Sequence, residues 1–190
     1  MKPYPRTQFL VGLAALVAAG WEGPISPDYQ AGIDRKTAHS GHGSIYLRSV
    51  AAGAKGDAIL QRIRADAYRG KRIRLTGWVK ADHSGALWLR VDMLNGDYVL
   101  DNIVDMPPGD WRKRQLIADV PADALGISFG LRMKGQGQAW ADDVALDVVS
   151  QSIPTTTIER RKDHAPGAAQ RLQEEYSRAP LRPVNLGFEL

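Results

Sequence analysis

The chain has no cysteine, only three phenylalanines and four histidines, and little surplus charge of either sign. Without cysteine there is no disulfide framework, no thiolate zinc site and no cysteine nucleophile. The histidines are too few for a zinc set, and His39 and His42, three apart, read as turn residues. Lysine and arginine number 25 against 21 acids, a net charge of +4, and two of those cations, Lys2 and Arg6, precede the first acid, Glu22. Residues 20–150 carry 17 basic and 16 acidic side chains, so the body lacks the basic stripe that a nucleic-acid partner requires. Catalytic signatures are missing as well. No Gly-x-Ser-x-Gly elbow and no phosphate-cradling glycine loop occurs, and Gly41-His42-Gly43-Ser44 leads into a strand where an elbow serine would follow one. Asp142 and Asp143 are neighbours on a predicted strand, which points their side chains to opposite faces and denies them the role of a carboxylate pair. The chain reads as a non-enzyme.

Residues 1–19 have the order of a secretory signal: a basic start at Lys2 and Arg6, an uncharged run from Phe9 to Ala19, and small residues before Gly20. The run is too short for a stable membrane span. This reading places the protein in the periplasm or outside the cell. The alternative, in which residues 1–19 form the first strand of the domain, leaves it cytoplasmic.

From Trp21 to Val149 the period is two, as a strand with one buried face produces. Ile73, Leu75 and Val79 alternate with Arg72, Arg74, Thr76, Trp78 and Lys80. Leu87, Leu89, Val91 and Met93 alternate with Trp88, Arg90 and Asp92. Ile127, Phe129, Leu131 and Met133 alternate with Ser128, Gly130, Arg132 and Lys134, and Trp140, Val144, Leu146 and Val148 alternate with Ala141, Asp143, Ala145 and Asp147. Turn residues separate these runs, most clearly Asn95-Gly96, a strong hairpin signal. Eight or nine short strands with no long amphipathic helix between them predict an all-β fold, an antiparallel β-sandwich of jelly-roll type, over residues 20–150. Residues 151–182 read as a solvated linker with one short helix, Ala168 to Arg178, and residues 183–190 as an apolar strand that docks on the sandwich.

Trp78, Trp88, Arg90, Asp92 and Arg132 share the non-core phase of three long strands, with Asn102 nearby in sequence. Indole planes that stack on sugar rings, beside charged and amide groups that read hydroxyls, are what a saccharide site needs. The alternative is that the two indoles are half-buried sheet residues beneath a loop or the tail.

Three stretches together, Tyr68-Arg69-Gly70-Lys71-Arg72-Ile73-Arg74-Leu75-Thr76-Gly77-Trp78-Val79-Lys80, Leu87-Trp88-Leu89-Arg90-Val91-Asp92 and Trp140-Ala141-Asp142-Asp143-Val144, with Asp101-Asn102 between them, resemble a bacterial jelly-roll group related to carbohydrate-binding modules. Members of that group occur alone or appended to esterases, and some carry the label of transcriptional regulator. This chain has no helix-turn-helix pattern. The group usually opens with an Asn-x-x-Phe-Glu strand before a Gly-Trp pair. Here Gly20-Trp21 lacks it, and Asn185-Leu186-Gly187-Phe188-Glu189 supplies it at the far end, as though completing a permuted sandwich. The resemblance also implies a structural calcium, whose matching positions are Glu189 with Asp142 or Asp143, supplemented by carbonyls of the Ser40–Gly43 loop.

The functional expectation is a non-catalytic module that binds a carbohydrate or envelope polymer through Trp78 and Trp88, with Arg90, Asp92, Asn102 and Arg132 supplying hydrogen bonds. The alternative is a structural or protein-interaction sandwich whose face is covered, with a hydrolase third.

Overall fold

Among the described residues the chain forms ten strands, β1 (Tyr29–Asp34), β2 (Ser44–Ser49), β3 (Gly56–Arg64), β4 (Arg72–Ala81), β5 (Ala86–Met93), β6 (Asp97–Asp101), β7 (Gly109–Asp119), β8 (Ala124–Lys134), β9 (Gln138–Val149) and β10 (Ile158–Lys162), then one helix, α1 (Ala168–Ser177). The computed structural model describes residues 20–101, 107–156, 158–162 and 166–188. The expectations for residues 1–19, Asn102 and Glu189 lie outside the described residues. Among those described, no helix is long and apolar enough to cross a membrane.

The strands form two antiparallel five-stranded sheets, ordered β1-β2-β9-β4-β7 and β10-β6-β5-β8-β3. The fold is a β-sandwich, as the period of two predicts. Its core interleaves Ile45, Leu47, Ile73, Leu75 and Val79 of the first sheet with Ile59, Ile63, Leu89, Val91, Ile127, Phe129 and Leu131 of the second, every one of them buried. Asn95-Gly96 turns β5 into β6: Gly96 sits at φ 85°, and the Asn95 side-chain oxygen accepts the Asp97 N–H at 2.9 Å.

The structure corrects the reading of β9. Ala139 and Ala141 face the core in one phase, and Val144 and Leu146 in the other. The ladder to β4 shifts between Thr76 and Trp78, leaving β9 one residue longer than its partner, and Asp143 takes a left-handed φ of 49°. This bulge inverts the phase. Trp140 therefore lies outside the core run, donating its indole N–H to Asp34 at 3.0 Å, while Val148 is 50% exposed.

Two more differences concern the tail. Ile158–Lys162, read from the sequence as linker, is an edge strand on β6, with Arg160 3.0 Å from Asp97. Four charged residues in a row erase its alternation, and charge is what shields an exposed edge. Residues 183–188 do dock, with Phe188 fully buried and its ring 5.4 Å from that of Trp21. They form turns and no strand, because Asn185 and Phe188 both adopt positive φ. The side-chain amide of Gln61 replaces the missing ladder, donating to the Val184 carbonyl and accepting the Val184 N–H at 3.1 Å.

Candidate functional site

The outer face of the second sheet is set by strand register. Trp88 stands opposite Gly130, Arg90 opposite Ser128 and Asp92 opposite Gly126, and on the far side of β8 those residues meet Leu60, Arg62 and Arg64. One row along, Arg132 is flanked by Ala86 and Ala58. Residues two apart on a strand share a face, so Trp88, Arg90, Asp92 and Arg132 come together as the alternation predicts.

Trp78 is not among them. It lies on β4, in the other sheet, and points away from the opposite side of the sandwich. β4 and β5 are consecutive, but the short Asp82-His83-Ser84-Gly85 connection carries the chain from one sheet to the other. Equal phase on two strands means a shared face only when the strands share a sheet, and periodicity does not reveal which strands do. The Trp78 ring is also taken: His39 stacks on it at 3.9 Å with planes 15° apart, and Trp111 packs edge-on against His39 at 5.8 Å.

Helix α1 packs on the second sheet's outer face, against β3 and β8. Its mainstay is Tyr176, 1% exposed, whose hydroxyl lies 2.6 Å from Asp92 Oδ2 and 2.7 Å from Ser128 Oγ. Gly126 makes room for this ring, since a Cβ there would fall 2.0 Å from Tyr176 Cε1. Burial, with the Asp92 charge beside it, pushes the Tyr176 hydroxyl well above its ordinary value of 10.0. Asp92 is itself 2% exposed and takes a further 2.7 Å hydrogen bond from Arg90 Nε. Its expected role as a ligand contact is thus corrected to a buried anchor for the helix. Arg90 is held on two sides, by Asp92 and by the Tyr98 ring 3.9 Å beneath its guanidinium.

Two hollows remain, divided by Trp88 and Arg90. A pocket of about 220 Å³ lies beneath α1, lined by Leu60, Arg62, Ser128, Leu172 and Glu175. An open cleft of about 490 Å³ lies beyond the helix, lined by Lys55, Gly56, Asp57, Ala58 and Arg132. Both include Trp88 and Arg90. Trp88 is half-buried, and its indole N–H is buried with no hydrogen-bond partner among the described residues. Lys55 and Asp57 were missed by sequence reasoning, because their place beside Arg132 follows from the β3–β8 register alone.

The acids expected to hold calcium form a different kind of group. At the β9 bulge, Asp142 Oδ2 accepts the N–H groups of His39 at 2.7 Å and Ser40 at 3.1 Å, while Oδ1 accepts the Asp143 N–H at 2.7 Å. Asp143 bonds the Ser40 hydroxyl at 2.6 Å and His39 Nδ1 at 2.7 Å. The bulge therefore brings both carboxylates onto one loop, correcting the expectation that they diverge. The loop turns N–H donors toward them where carbonyls were expected. Such donors hold the loop and oppose a cation, so Asp142 and Asp143 do not fit a calcium cage in this arrangement. Burial, aided by the Asp143 charge, raises Asp142 despite its backbone hydrogen bonds. Burial acts on Asp143 in the same direction, but its bonds to Ser40 and His39 and the nearby charges of His39 and Lys113 outweigh it, so Asp143 is lowered. Among the described residues no three His, Asp or Glu side chains converge as a metal cage.

In comparison with solved structures, the chain matches the CBM22-1 xylan-binding domain of Paenibacillus barcinonensis Xyn10C at a TM-score of 0.55, with 14% identity over 69% of this chain and 86% of that one. It matches a family 16 carbohydrate-binding module at a TM-score of 0.52, with 18% identity over 67% and 89%. The chain shares its fold with carbohydrate-binding modules. At that level of identity the likeness concerns architecture alone. No family model matches the chain. Among curated proteins, the uncharacterized HTH-type transcriptional regulator YbfP of Bacillus subtilis (strain 168) is 35% identical over 181 residues, or 90% of this chain. The chain spans 56% of that relative's length.

Proposed function

We propose that the chain is a non-catalytic saccharide-binding module whose ligand lies in the open cleft at Trp88. The observation that carries this reading is a half-buried indole lining the cleft, standing between Arg90 and Arg132 and facing Gly130 across the ladder. A glycine neighbour leaves the sheet flat beside the ring, and a sugar stacks on the indole. The cleft's volume falls within the range of small-molecule sites, and the shared architecture with carbohydrate-binding modules supports the same reading. Arg90, fixed by Asp92 and Tyr98, is a pre-set donor at the rim.

A glycan array probed with the wild-type chain and with Trp88→Ala and Trp78→Ala variants tests this. The reading expects signal for wild type and Trp78→Ala, and loss for Trp88→Ala. Equal signal from wild type and Trp88→Ala would remove the site.

A second reading follows from the Bacillus relative, whose name marks it as a regulator. In a longer chain of that kind the sandwich would receive a small ligand, and α1, which lines the smaller hollow, would sense its presence. The export expectation and this reading exclude each other, and N-terminal sequencing of protein from its native host separates them.

A further inference from the structure

The cleft at Trp88 carries more charge than stacking on a sugar requires. Its rim holds three cations, Lys55, Arg90 and Arg132, against one carboxylate, Asp57. Asp57 is already engaged, accepting the Ser26 N–H and the Ala58 N–H, each at 2.7 Å. Arg90 is balanced by Asp92. Neither the Lys55 ammonium nor the Arg132 guanidinium has a hydrogen-bond or ion-pair partner among the described residues. On the same face Arg62 is met by both Glu22 and Glu175, and on neighbouring strands Arg64 is met by Asp66 and Arg160 by Asp97. Those three arginines have acids, whereas Lys55 and Arg132 line the cleft without one.

Register adds a geometric reason. Arg132 stands between Ala86 and Ala58, so no neighbouring side chain fills its row, and Trp88 stands one row away opposite Gly130. Two residues along a strand span about 7 Å, roughly the distance from the middle of a stacked sugar ring, through an exocyclic carboxylate, to a nitrogen that donates to it. A guanidinium presents two parallel donors that match a carboxylate, and such a charge-assisted bond is stronger than one to a neutral hydroxyl.

We propose that the cleft selects an acidic saccharide, a uronate whose ring stacks on Trp88 and whose carboxylate is received by Arg132 and Lys55. The proposal rests on the saccharide-binding reading and adds the class of ligand.

The test is isothermal titration of the full chain with matched pairs of probes: oligogalacturonate against its methyl ester, and a glucuronic-acid-substituted xylo-oligosaccharide against the same oligosaccharide with its uronate carboxyl reduced to the alcohol. Each pair keeps the sugar backbone and differs in the charged group. The expected result is that at least one acidic member binds about tenfold more tightly than its neutral partner at low salt, with the gap closing as salt is raised to about 1 M. Arg132→Gln should lower affinity for the acidic member about tenfold and leave any neutral binding unchanged, whereas Trp88→Ala should abolish both. Lys55→Gln, on an exposed loop, gives a smaller loss in the same direction and serves if Arg132→Gln lowers stability. Equal affinity within each pair would overturn the charge selection and leave the saccharide site standing. Binding of an acidic probe that survives Trp88→Ala would overturn the proposal as non-specific attraction to a basic surface. No binding of any member would overturn the proposal and count against the saccharide reading.

Discussion

The Tyr176 hydroxyl is 2.6 Å from Asp92 Oδ2, a contact across 84 residues of sequence in which both side chains are almost wholly buried. It ties α1 to the outer face of a sheet, and decides how much of that face remains for a ligand. Tyr176→Phe keeps the ring and removes the bond, leaving Asp92 to Arg90 alone. Buried groups stripped of a partner cost about 1–3 kcal/mol, so chemical denaturation should show a loss of that size, with faster tryptic cleavage at Arg171 and Arg178.

The same hydroxyl sets an alkaline limit. Burial raises Tyr176 well above 10.0, so it stays protonated in the folded chain where the unfolded chain ionises. The unfolded state then binds fewer protons. Stability is full below pH 10 and falls as pH rises beyond it. Tyr29 and Tyr68 are also raised and add to this slope. Unfolding free energies measured between about pH 8 and 11.5 should therefore decline more steeply for wild type than for Tyr176→Phe. Parallel curves would contradict the buried phenol.

Gly126→Ala places a Cβ 2.0 Å from Tyr176 Cε1, with no flexible chain end to yield. The helix should lift from the sheet while the sandwich stays folded. Acrylamide quenching of tryptophan fluorescence should then increase as Trp88 is uncovered, with the β-sheet circular dichroism retained.

Asp142→Ala orphans the backbone N–H groups of His39 and Ser40 together. A loss of about 1–3 kcal/mol is expected, and His39 should no longer be held over Trp78. The indole signal of Trp78 should move, and that of Trp88 should not.

Phe188→Ala empties a fully buried position against Trp21. Such truncations cost about 3–5 kcal/mol, so the melting temperature should fall by several degrees. An unchanged melting temperature would mean that the tail is not part of the core.

Much of the fold was legible from the sequence because burial on one face writes itself as alternation. Leu87, Leu89 and Val91 are buried and Trp88 and Arg90 are not, just as their order states. What alternation omits is which strand lies beside which. Trp78 and Trp88 share a phase and stand on opposite sides of the molecule, since a four-residue connection, Asp82 to Gly85, carries the chain between sheets. The β9 bulge was hidden for a related reason: one extra residue inverts the phase, and neither Asp142 nor Asp143 is a residue whose presence announces left-handed backbone. Asp92 read as a surface acid because its partner, Tyr176, lies far along the chain on a helix whose docking face is written in a different period. β10 was missed because four charged residues carry no alternation at all.

The central claim is that the ligand meets Trp88 and not Trp78. The chain has five tryptophans, and each contributes one indole N–H resonance to a nitrogen–proton correlation spectrum. Titration with a saccharide that binds should shift the Trp88 indole resonance, assigned by its loss in Trp88→Phe, and leave that of Trp78 in place. A saccharide that bound tightly while moving Trp78, or neither ring, would contradict the account.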